Sequence, residues 1–254
     1  LCIDQNHTNI VFAGVGPSIF VIQDQKIIKR AIIMENSKRI LSIQQFSNLL
    51  FTYSENILII ISFSIETFNL HIVSKYEFPD IIKAIFYNEE IQEISAILGH
   101  GQILQIKQGN QTIRNPKNWV IVTAATIKND HFFYGDSFGT LTYAGHFDFE
   151  TEYGTLFCIK ESNTTNQIVT AHEYKAACLW NLEDDHIEKV WECTDFPSRV
   201  WGCDFFKGFP IAFSEDGCIH YNGQIYQVHR SKTITAMAIN DDTIITSGQY
   251  GTGT

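Results

Sequence analysis

The pentapeptide Gly135-Asp136-Ser137-Phe138-Gly139 has the G-x-S-x-G spacing of a hydrolase nucleophile elbow. In that motif a strand, a strained turn and a helix expose the serine hydroxyl for attack on a carbonyl carbon, and backbone N–H groups stabilise the oxyanion. The segment TLTYAG that follows alternates like a strand, and Gly and Asp are equally typical of a tight hairpin. A structural turn is therefore favoured, and a serine hydrolase using Ser137 is kept as an alternative.

Two further patterns could bind a cofactor or a metal, and each lacks part of what its chemistry needs. Gly14-Val15-Gly16 could open a dinucleotide-binding loop, but a third Gly is missing and the strand-like SIFVI follows where a helix should begin. His172-Glu173 and Asp184-Asp185-His186 offer metal ligands, yet neither has a second ligand pair at a suitable spacing. We predict no catalytic residue, no cofactor and no metal site.

The elements that carry these residues form an internal repeat in which two short apolar segments are joined by a turn. Such units read as a strand, a tight turn and a strand, and they lie roughly 33 to 45 residues apart, as the four-stranded blades of a propeller do. The pattern predicts an all-β, WD-repeat-like β-propeller of about seven blades with an incomplete last blade, formed by residues 1–254 as a single propeller. The seven anchor residues are Ala13, Ser54, Leu98, Gly135, Ala171, Ser214 and Gly248.

Further apolar segments lie between these turns. ILSIQQF, TLFCI, RVWGCDFF and TITAMAI each precede a turn and are predicted to be first strands of blades, and DIIKAIFY is also predicted to be a strand. The chain begins at Leu1 rather than Met and ends at Thr254 inside a predicted turn. We therefore expect a fragment of a longer protein.

The segment VTAHEYKAACLWNL, residues 169–182, resembles a WD repeat, in which a strand ends in Thr or Ser, a polar turn follows, and a second strand closes on Trp-Asp or Trp-Asn. Trp180-Asn181 stands where that family has its signature dipeptide, and Gly145-His146 precedes it by about 34 residues. An alternative alignment starts this blade at Gly154-Thr155-Leu156-Phe157.

The order of segments over residues 132–254 resembles the first propeller of the WD-repeat proteins that partner a tRNA 2′-O-methyltransferase, with Arg199-Val200-Trp201 as the most telling element. The resemblance implies a non-catalytic scaffold that binds the methyltransferase and supports ribose methylation of the tRNA anticodon loop. The methyl donor would be bound by the partner. A general WD-repeat adaptor for another protein complex is the alternative, because one propeller fold serves many partners.

Blade geometry predicts where a partner binds. In an antiparallel blade, the start of the first strand and the turn between the second and third strands lie at the same edge. Arg199 precedes a predicted first strand, and the other candidates lie in equivalent turns. Trp180 and Trp201 are predicted to be buried between blades, because both lie in apolar strands. The predicted partner-binding residues are Asp136, Phe138, Glu173, Lys175, Arg199, Glu215 and Asp216.

The composition of the chain limits the kinds of partner that it is expected to bind. The formal net charge of −10 repels a phosphate backbone, so tRNA is expected to be reached only through the partner protein. The longest apolar run, residues 57–63, is far shorter than the ~20 residues that cross a bilayer, so no membrane contact is predicted. Without C-x-x-C spacing the cysteines are expected to be reduced and buried, which favours a cytoplasmic protein. They are Cys2, Cys158, Cys178, Cys193, Cys203 and Cys218.

Overall fold

The computed structural model describes residues 1–4, 7, 9–35, 38–116, 118–128, 131–144, 146–183, 186–229, 233–240, 242–248 and 252–253. Every regular secondary-structure element in these residues is a β-strand. The strands form seven sheets, and within each sheet every strand pairs with the next one along the chain. We call the sheets blades 1 to 7 in chain order.

The first three blades have four strands each. Blade 1 contains β1 (Cys2–Ile3), β2 (Ile10–Val15), β3 (Ser18–Gln23) and β4 (Lys26–Ile32). Blade 2 contains β5 (Ser42–Phe46), β6 (Leu49–Ser54), β7 (Ile57–Ser64) and β8 (Asn69–Glu77). Blade 3 contains β9 (Ile82–Asn88), β10 (Glu93–Leu98), β11 (Ile103–Lys107) and β12 (Asn110–Arg114).

Blades 4 to 6 repeat the four-stranded pattern, and three strands of blade 7 are described. Blade 4 contains β13 (Val122–Lys128), β14 (His131–Asp136), β15 (Thr140–Tyr143) and β16 (Phe147–Glu150). Blade 5 contains β17 (Leu156–Glu161), β18 (Gln167–His172), β19 (Ala177–Leu182) and β20 (Ile187–Cys193). Blade 6 contains β21 (Val200–Phe206), β22 (Phe209–Ser214), β23 (Cys218–Tyr221) and β24 (Gln224–Gln227). Blade 7 contains β25 (Ile234–Ile239), β26 (Ile244–Gly248) and β27 (Thr252–Gly253).

In blades 1 to 5 the second strand is the most buried, and in blades 1 to 6 the fourth strand is the most exposed. The second strands β10, β14 and β18 are buried over nearly their whole length, whereas every residue of β12 and β24 is exposed. A strand covered on both faces has a nearly continuous apolar sequence, and an edge strand tolerates polar residues. This difference in burial explains why the second strands have the most apolar sequences and are the easiest to predict.

The chain divides into two compact units, Leu1–Ile82 with Ala238–Thr243, and Lys83–Met237 with Ile244–Thr254. In the first unit, apolar side chains of blades 1 and 2 form one core around Phe12, Ile19 and Leu50. In the second unit, separate apolar layers lie between successive blades from blade 3 to blade 6. Packing of sheet against sheet is thus the main source of burial in each unit.

A β-bulge interrupts the first strand of blades 4, 5 and 6 at corresponding places. The pairing register shifts between Val122 and Ala124, between Leu156 and Cys158, and between Val200 and Gly202. Thr123, Phe157 and Trp201 are therefore left out of the ladder, and each is the second residue of its strand. A bulge re-aims the side chain of its extra residue.

A buried chain of hydrogen bonds crosses blade 5. The indole N–H of Trp180 donates to the Thr170 hydroxyl at 2.8 Å, and that hydroxyl lies 2.7 Å from Nε2 of His172. Burial lowers the pKa of His172 to about 4, so this imidazole is neutral at neutral pH. Trp180 itself is buried, as the sequence predicted.

These sheets define a β-propeller fold, with six four-stranded blades and a seventh sheet of three described strands. The all-β class and the incomplete last blade are confirmed. All seven anchor residues lie in second strands, the four predicted first strands are β5, β17, β21 and β25, and DIIKAIFY contains strand β9. That residues 1–254 form one domain stays a prediction. No helix of the described residues is long and apolar enough to cross a membrane.

Candidate partner-binding face

Turns and strand starts meet at one edge of blades 4, 5 and 6. We define the turn face as turns 137–139, 173–176 and 215–217, together with Thr155 and Arg199, which come just before β17 and β21. All of these residues belong to the second compact unit.

A chain of contacts joins the turn face across the three blades. The Thr155 hydroxyl donates to Oε2 of Glu173 at 2.8 Å and lies 3.2 Å from the carbonyl oxygen of Ser137. A terminal nitrogen of Arg199 lies 3.9 Å from Oε1 of Glu173. The backbone N–H of Glu215 donates to the carbonyl oxygen of Arg199 at 2.9 Å. The structure therefore brings the predicted residues of blades 5 and 6 into direct contact and joins them to the turn of blade 4.

The Glu173–Arg199 ion pair is open to solvent. The Arg199 side chain is 52% exposed and that of Glu173 is 31% exposed. Exposed pairs contribute only about 0–1 kcal/mol to stability, because water screens them and two long side chains must be ordered. The guanidinium can therefore turn to a carboxylate of a partner at little cost to the fold.

Exposed aromatic side chains lie in the same turns and strand starts as this ion pair. Phe138 is 87% exposed and Tyr174 is 65% exposed, each at the tip of its turn. Trp201 is 37% exposed and stacks on Phe157, with the ring centroids 4.5 Å apart. Clustered exposed aromatic residues beside an Arg are typical of protein-binding surfaces.

The predicted burial of Trp201 is wrong. Its apolar neighbours in the sequence favoured a core position, but the bulge between Val200 and Gly202 removes Trp201 from the ladder, and its ring is partly exposed and stacks on Phe157. Sequence reasoning also missed Tyr174 and Phe157 as surface residues. A large aromatic residue between charged neighbours, as in Glu173-Tyr174-Lys175, was the available signal for the first of these.

Asp136 lies at the predicted turn, and it is buried there. It is 7% exposed, and its Oδ1 accepts the backbone N–H groups of Phe138 and Thr140, both at 2.9 Å. The carboxylate thereby closes the turn from which Phe138 projects. Asp136 therefore stabilises this turn, and its role in partner binding stays a prediction.

Asp136→Ala should destabilise the protein by about 1–3 kcal/mol, because two backbone donors lose a charged acceptor. Chemical denaturation followed by intrinsic fluorescence measures the change. Asp136→Asn retains one acceptor oxygen and should lose less. Ser137→Ala, in the same turn but exposed, is the matched control and should stay within about 0.5 kcal/mol of the native protein. Equal stability of Asp136→Ala and Ser137→Ala would contradict the role assigned to this carboxylate.

Glu215 and Asp216 share a turn but differ in role. Glu215 is exposed, and Asp216 is half-buried between two serines, Ser198 and Ser214, whose hydroxyls donate to its Oδ1. Partial burial raises the pKa of the Asp216 carboxyl, but hydrogen bonds from Ser214 and Cys218 outweigh it, and the pKa lies below its ordinary value. Asp216 is therefore a turn-stabilising carboxylate, and Glu215 is the charge that this turn presents.

Lys175 is also exposed, at the turn between β18 and β19. Its backbone has a φ of 59°, in the left-handed region that tight turns require. Lys175 thus carries a positive charge on the turn face beside Tyr174.

The structure contradicts the nucleophile-elbow hypothesis. After Gly139 the chain continues as strand β15, where the elbow requires a helix. Ser137 is exposed at the tip of a hairpin, and its carbonyl oxygen accepts a hydrogen bond from Thr155. The G-x-S-x-G spacing here is a turn sequence, and the serine hydrolase hypothesis is discarded.

The other patterns have structural explanations as well. Strand β3 follows Gly14-Val15-Gly16, so no helix N-terminus is present to receive a pyrophosphate. His172 is fully buried against Thr170, and His186 lies 3.1 Å from Glu183. Asp184, Asp185 and Gly145 of the Gly-His dipeptide lie outside the described residues. Among the residues with described positions, no three His, Cys, Asp or Glu side chains cluster as metal ligands.

The chain matches known proteins at the level of the fold. No protein-family model and no curated protein matches the chain. Among solved structures the chain is similar to the crystal structure of the computationally designed Ika8 protein, with a TM-score of 0.68 and 15% sequence identity. The similarity covers 95% of this chain and 78% of that chain. At 15% identity the structural similarity shows the fold alone and carries no information on function.

Proposed function

We propose that the protein is a WD-repeat-type scaffold that binds a protein partner through the turn face of blades 4 to 6. The observation that carries the proposal is that the exposed Phe138, Tyr174 and Trp201 lie in the same turns and strand starts as the solvent-accessible Glu173–Arg199 pair. A desolvated aromatic centre with charged residues around it is the usual composition of an energetically important interface region.

The proposed partner is a tRNA 2′-O-methyltransferase, and the protein would support ribose methylation of the tRNA anticodon loop without binding the methyl donor. This part of the proposal rests on the order of segments over residues 132–254 and on Arg199-Val200-Trp201. Within that tripeptide, Arg199 and Trp201 both have exposed side chains, while Val200 is buried. The residues that carry the resemblance are thus positioned to contact a partner.

The WD-repeat assignment has support in blade 5. The pattern names a Thr or Ser on the second strand and a Trp on the third, and here Trp180 donates its indole N–H to Thr170. The formal net charge of −10 further favours a protein partner over direct contact with RNA phosphates.

Purification of the tagged, full-length protein from cells that express it, with mass spectrometry of the bound proteins, tests both parts of the proposal. A methyltransferase of this class should be enriched. Phe138→Ser/Tyr174→Ser should reduce its recovery by about tenfold or more, since interface aromatics commonly contribute over 1 kcal/mol each. The matched control is Ile225→Ser/Tyr226→Ser, which removes an exposed apolar pair from the outer strand β24 and should leave recovery unchanged.

The outcomes separate the alternatives. Enrichment of a different complex that is lost with Phe138→Ser/Tyr174→Ser would identify a general WD-repeat adaptor and overturn the methyltransferase assignment. Native recovery of the methyltransferase with the same double variant would overturn the turn face as the binding site.

A further inference from the structure

Two cysteines from neighbouring blades approach each other within the second compact unit. Cys158 lies on β17 of blade 5 and Cys203 on β21 of blade 6, 45 residues further along the chain. Sγ of Cys158 lies 3.5 Å from the carbonyl oxygen of Cys203, and Sγ of Cys203 lies 3.7 Å from the carbonyl oxygen of Cys158. The contacts are reciprocal, so the two side chains extend toward each other from the two strands.

The two cysteines meet because both pack in the apolar layer between blades 5 and 6. Cys203 is a buried member of the apolar layer between blades 5 and 6, and Cys158 packs against the same layer. Both first strands contribute to this layer, which also contains Val169 and Ala212. Cys203 is fully enclosed, whereas Cys158 is partly exposed to solvent. Cys158 is therefore the member of the pair that lies nearer to solvent.

The two thiols also interact electronically. A hydrogen bond from the Cys203 thiol lowers the pKa of Cys158 to about 7, despite the opposing effect of burial. Burial and the same neighbour raise the pKa of Cys203 well above its ordinary value. At neutral pH a substantial fraction of Cys158 is therefore thiolate, whereas Cys203 stays a thiol. Thiolates are the nucleophilic form of cysteine.

The remaining cysteines differ from this pair. Burial raises the pKa of Cys2 and of Cys218 to about 11, and that of Cys178 to about 12. Burial also raises the pKa of Cys193, whose Sγ lies 3.9 Å from Nδ1 of His220. All four are thus held as thiols at neutral pH, and the reactive thiolate is that of Cys158.

We propose that Cys158 and Cys203 form an oxidative modification site, at which a hydroperoxide converts the two thiols into a disulfide that links blade 5 to blade 6.

The reaction has two steps. The Cys158 thiolate attacks one peroxide oxygen, the O–O bond breaks, and the leaving alkoxide or hydroxide takes a proton to give an alcohol or water. The sulfur of Cys158 is then a sulfenic acid. The sulfur of Cys203 attacks it, the S–O bond breaks, and the departing hydroxide takes the Cys203 proton as water. Two thiols are oxidised by two electrons in total, and one peroxide is reduced.

The test uses the purified full chain and hydrogen peroxide. After oxidation the protein is denatured in N-ethylmaleimide, digested without reductant and analysed by mass spectrometry. We expect a peptide pair joined through Cys158 and Cys203, with loss of two hydrogen atoms, that disappears after reduction. Cys2, which is also partly exposed, should remain fully alkylated and serves as the internal control.

Two variants separate the steps. Cys203→Ser should stop the reaction at a sulfenic acid on Cys158 that dimedone labels, and Cys158→Ser should show no labelling of Cys203. Full alkylation of both cysteines in the peroxide-treated native protein would overturn the proposal, as would equal dimedone labelling of Cys2 and Cys158 in Cys203→Ser. The readout requires no partner protein, so it is independent of the proposed scaffold function.

Discussion

Arg199→Glu is expected to weaken binding of the proposed methyltransferase partner by about 2–5 kcal/mol if Arg199 is desolvated in the complex, and by less if it remains at the solvent-exposed rim. The substitution replaces the positive partner of Glu173 with a second carboxylate, in the middle of the turn face. The resulting pair of like charges would repel an acidic group that approaches from the partner. Titration calorimetry with the purified enzyme measures the loss.

The salt dependence of this effect reports the position of Arg199. A rim contact should lose most of its contribution between low and physiological ionic strength, because exposed charges are screened within about 8–10 Å, whereas a desolvated pair should lose little. The melting temperature should stay nearly native, since the side chain is 52% exposed.

Arg114→Glu is the matched control. It reverses an exposed Arg on the outer strand β12 of blade 3 and changes the net charge equally. Native affinity of both charge-reversal variants would show that the turn face does not dock the enzyme. Equal weakening by both would mean that only long-range attraction had been measured.

Trp180→Ala is expected to destabilise the protein by about 3–5 kcal/mol, the range found when a buried large aromatic residue is truncated. Trp180 is 2% exposed and packs edge-on against Phe149, with the centroids 5.2 Å apart. Its loss also removes a hydrogen bond to the buried Thr170 hydroxyl, which keeps His172 and the carbonyl oxygen of Cys178 as partners. Urea denaturation followed by circular dichroism is the appropriate measurement.

Trp191→Ala controls for the change of residue type. Trp191 lies on the outer strand β20 of the same blade and is 38% exposed, so its truncation should cost no more than about 1 kcal/mol. If the two variants unfolded at the same urea concentration, Trp180 would not be the structural centre of blade 5. Trp180→Phe keeps most of the packing and should fall between them, which separates the hydrogen bond from the buried area.

The repeat could be predicted because two independent signals coincide in blades 1 to 6, whose hairpin turns the structure describes. Apolar second strands end at polar or Gly-rich turns, and the turn residues have the conformations that hairpins need, as at Gly217 with a φ of 84°. Residues such as Leu98 and Ser214 therefore marked second strands correctly without any knowledge of partners. Fourth strands gave a weaker signal, because an exposed edge such as β24, QIYQ, need not be apolar.

The turn face could be predicted only in part. Chain direction in an antiparallel blade placed Arg199 near Glu215, because this follows from topology alone. Side-chain orientation did not follow from topology. Trp201 was expected in the core because a bulge changes the inward and outward alternation without leaving a mark in the apolar pattern. Asp136 was expected at the surface, although an Asp three residues before Gly139 commonly bonds to the backbone of its own turn.

The bulges of blades 4 to 6 also bear on how this surface can evolve. Thr123, Phe157 and Trp201 occupy the same unpaired position in three successive blades. An extra residue outside the ladder can be exchanged without shifting the buried residues that follow it, so its identity is only weakly constrained by folding. Selection for a new partner can therefore act on three side chains at equivalent positions while the strands keep their other residues. The same three positions are suitable sites for designing a new binding specificity.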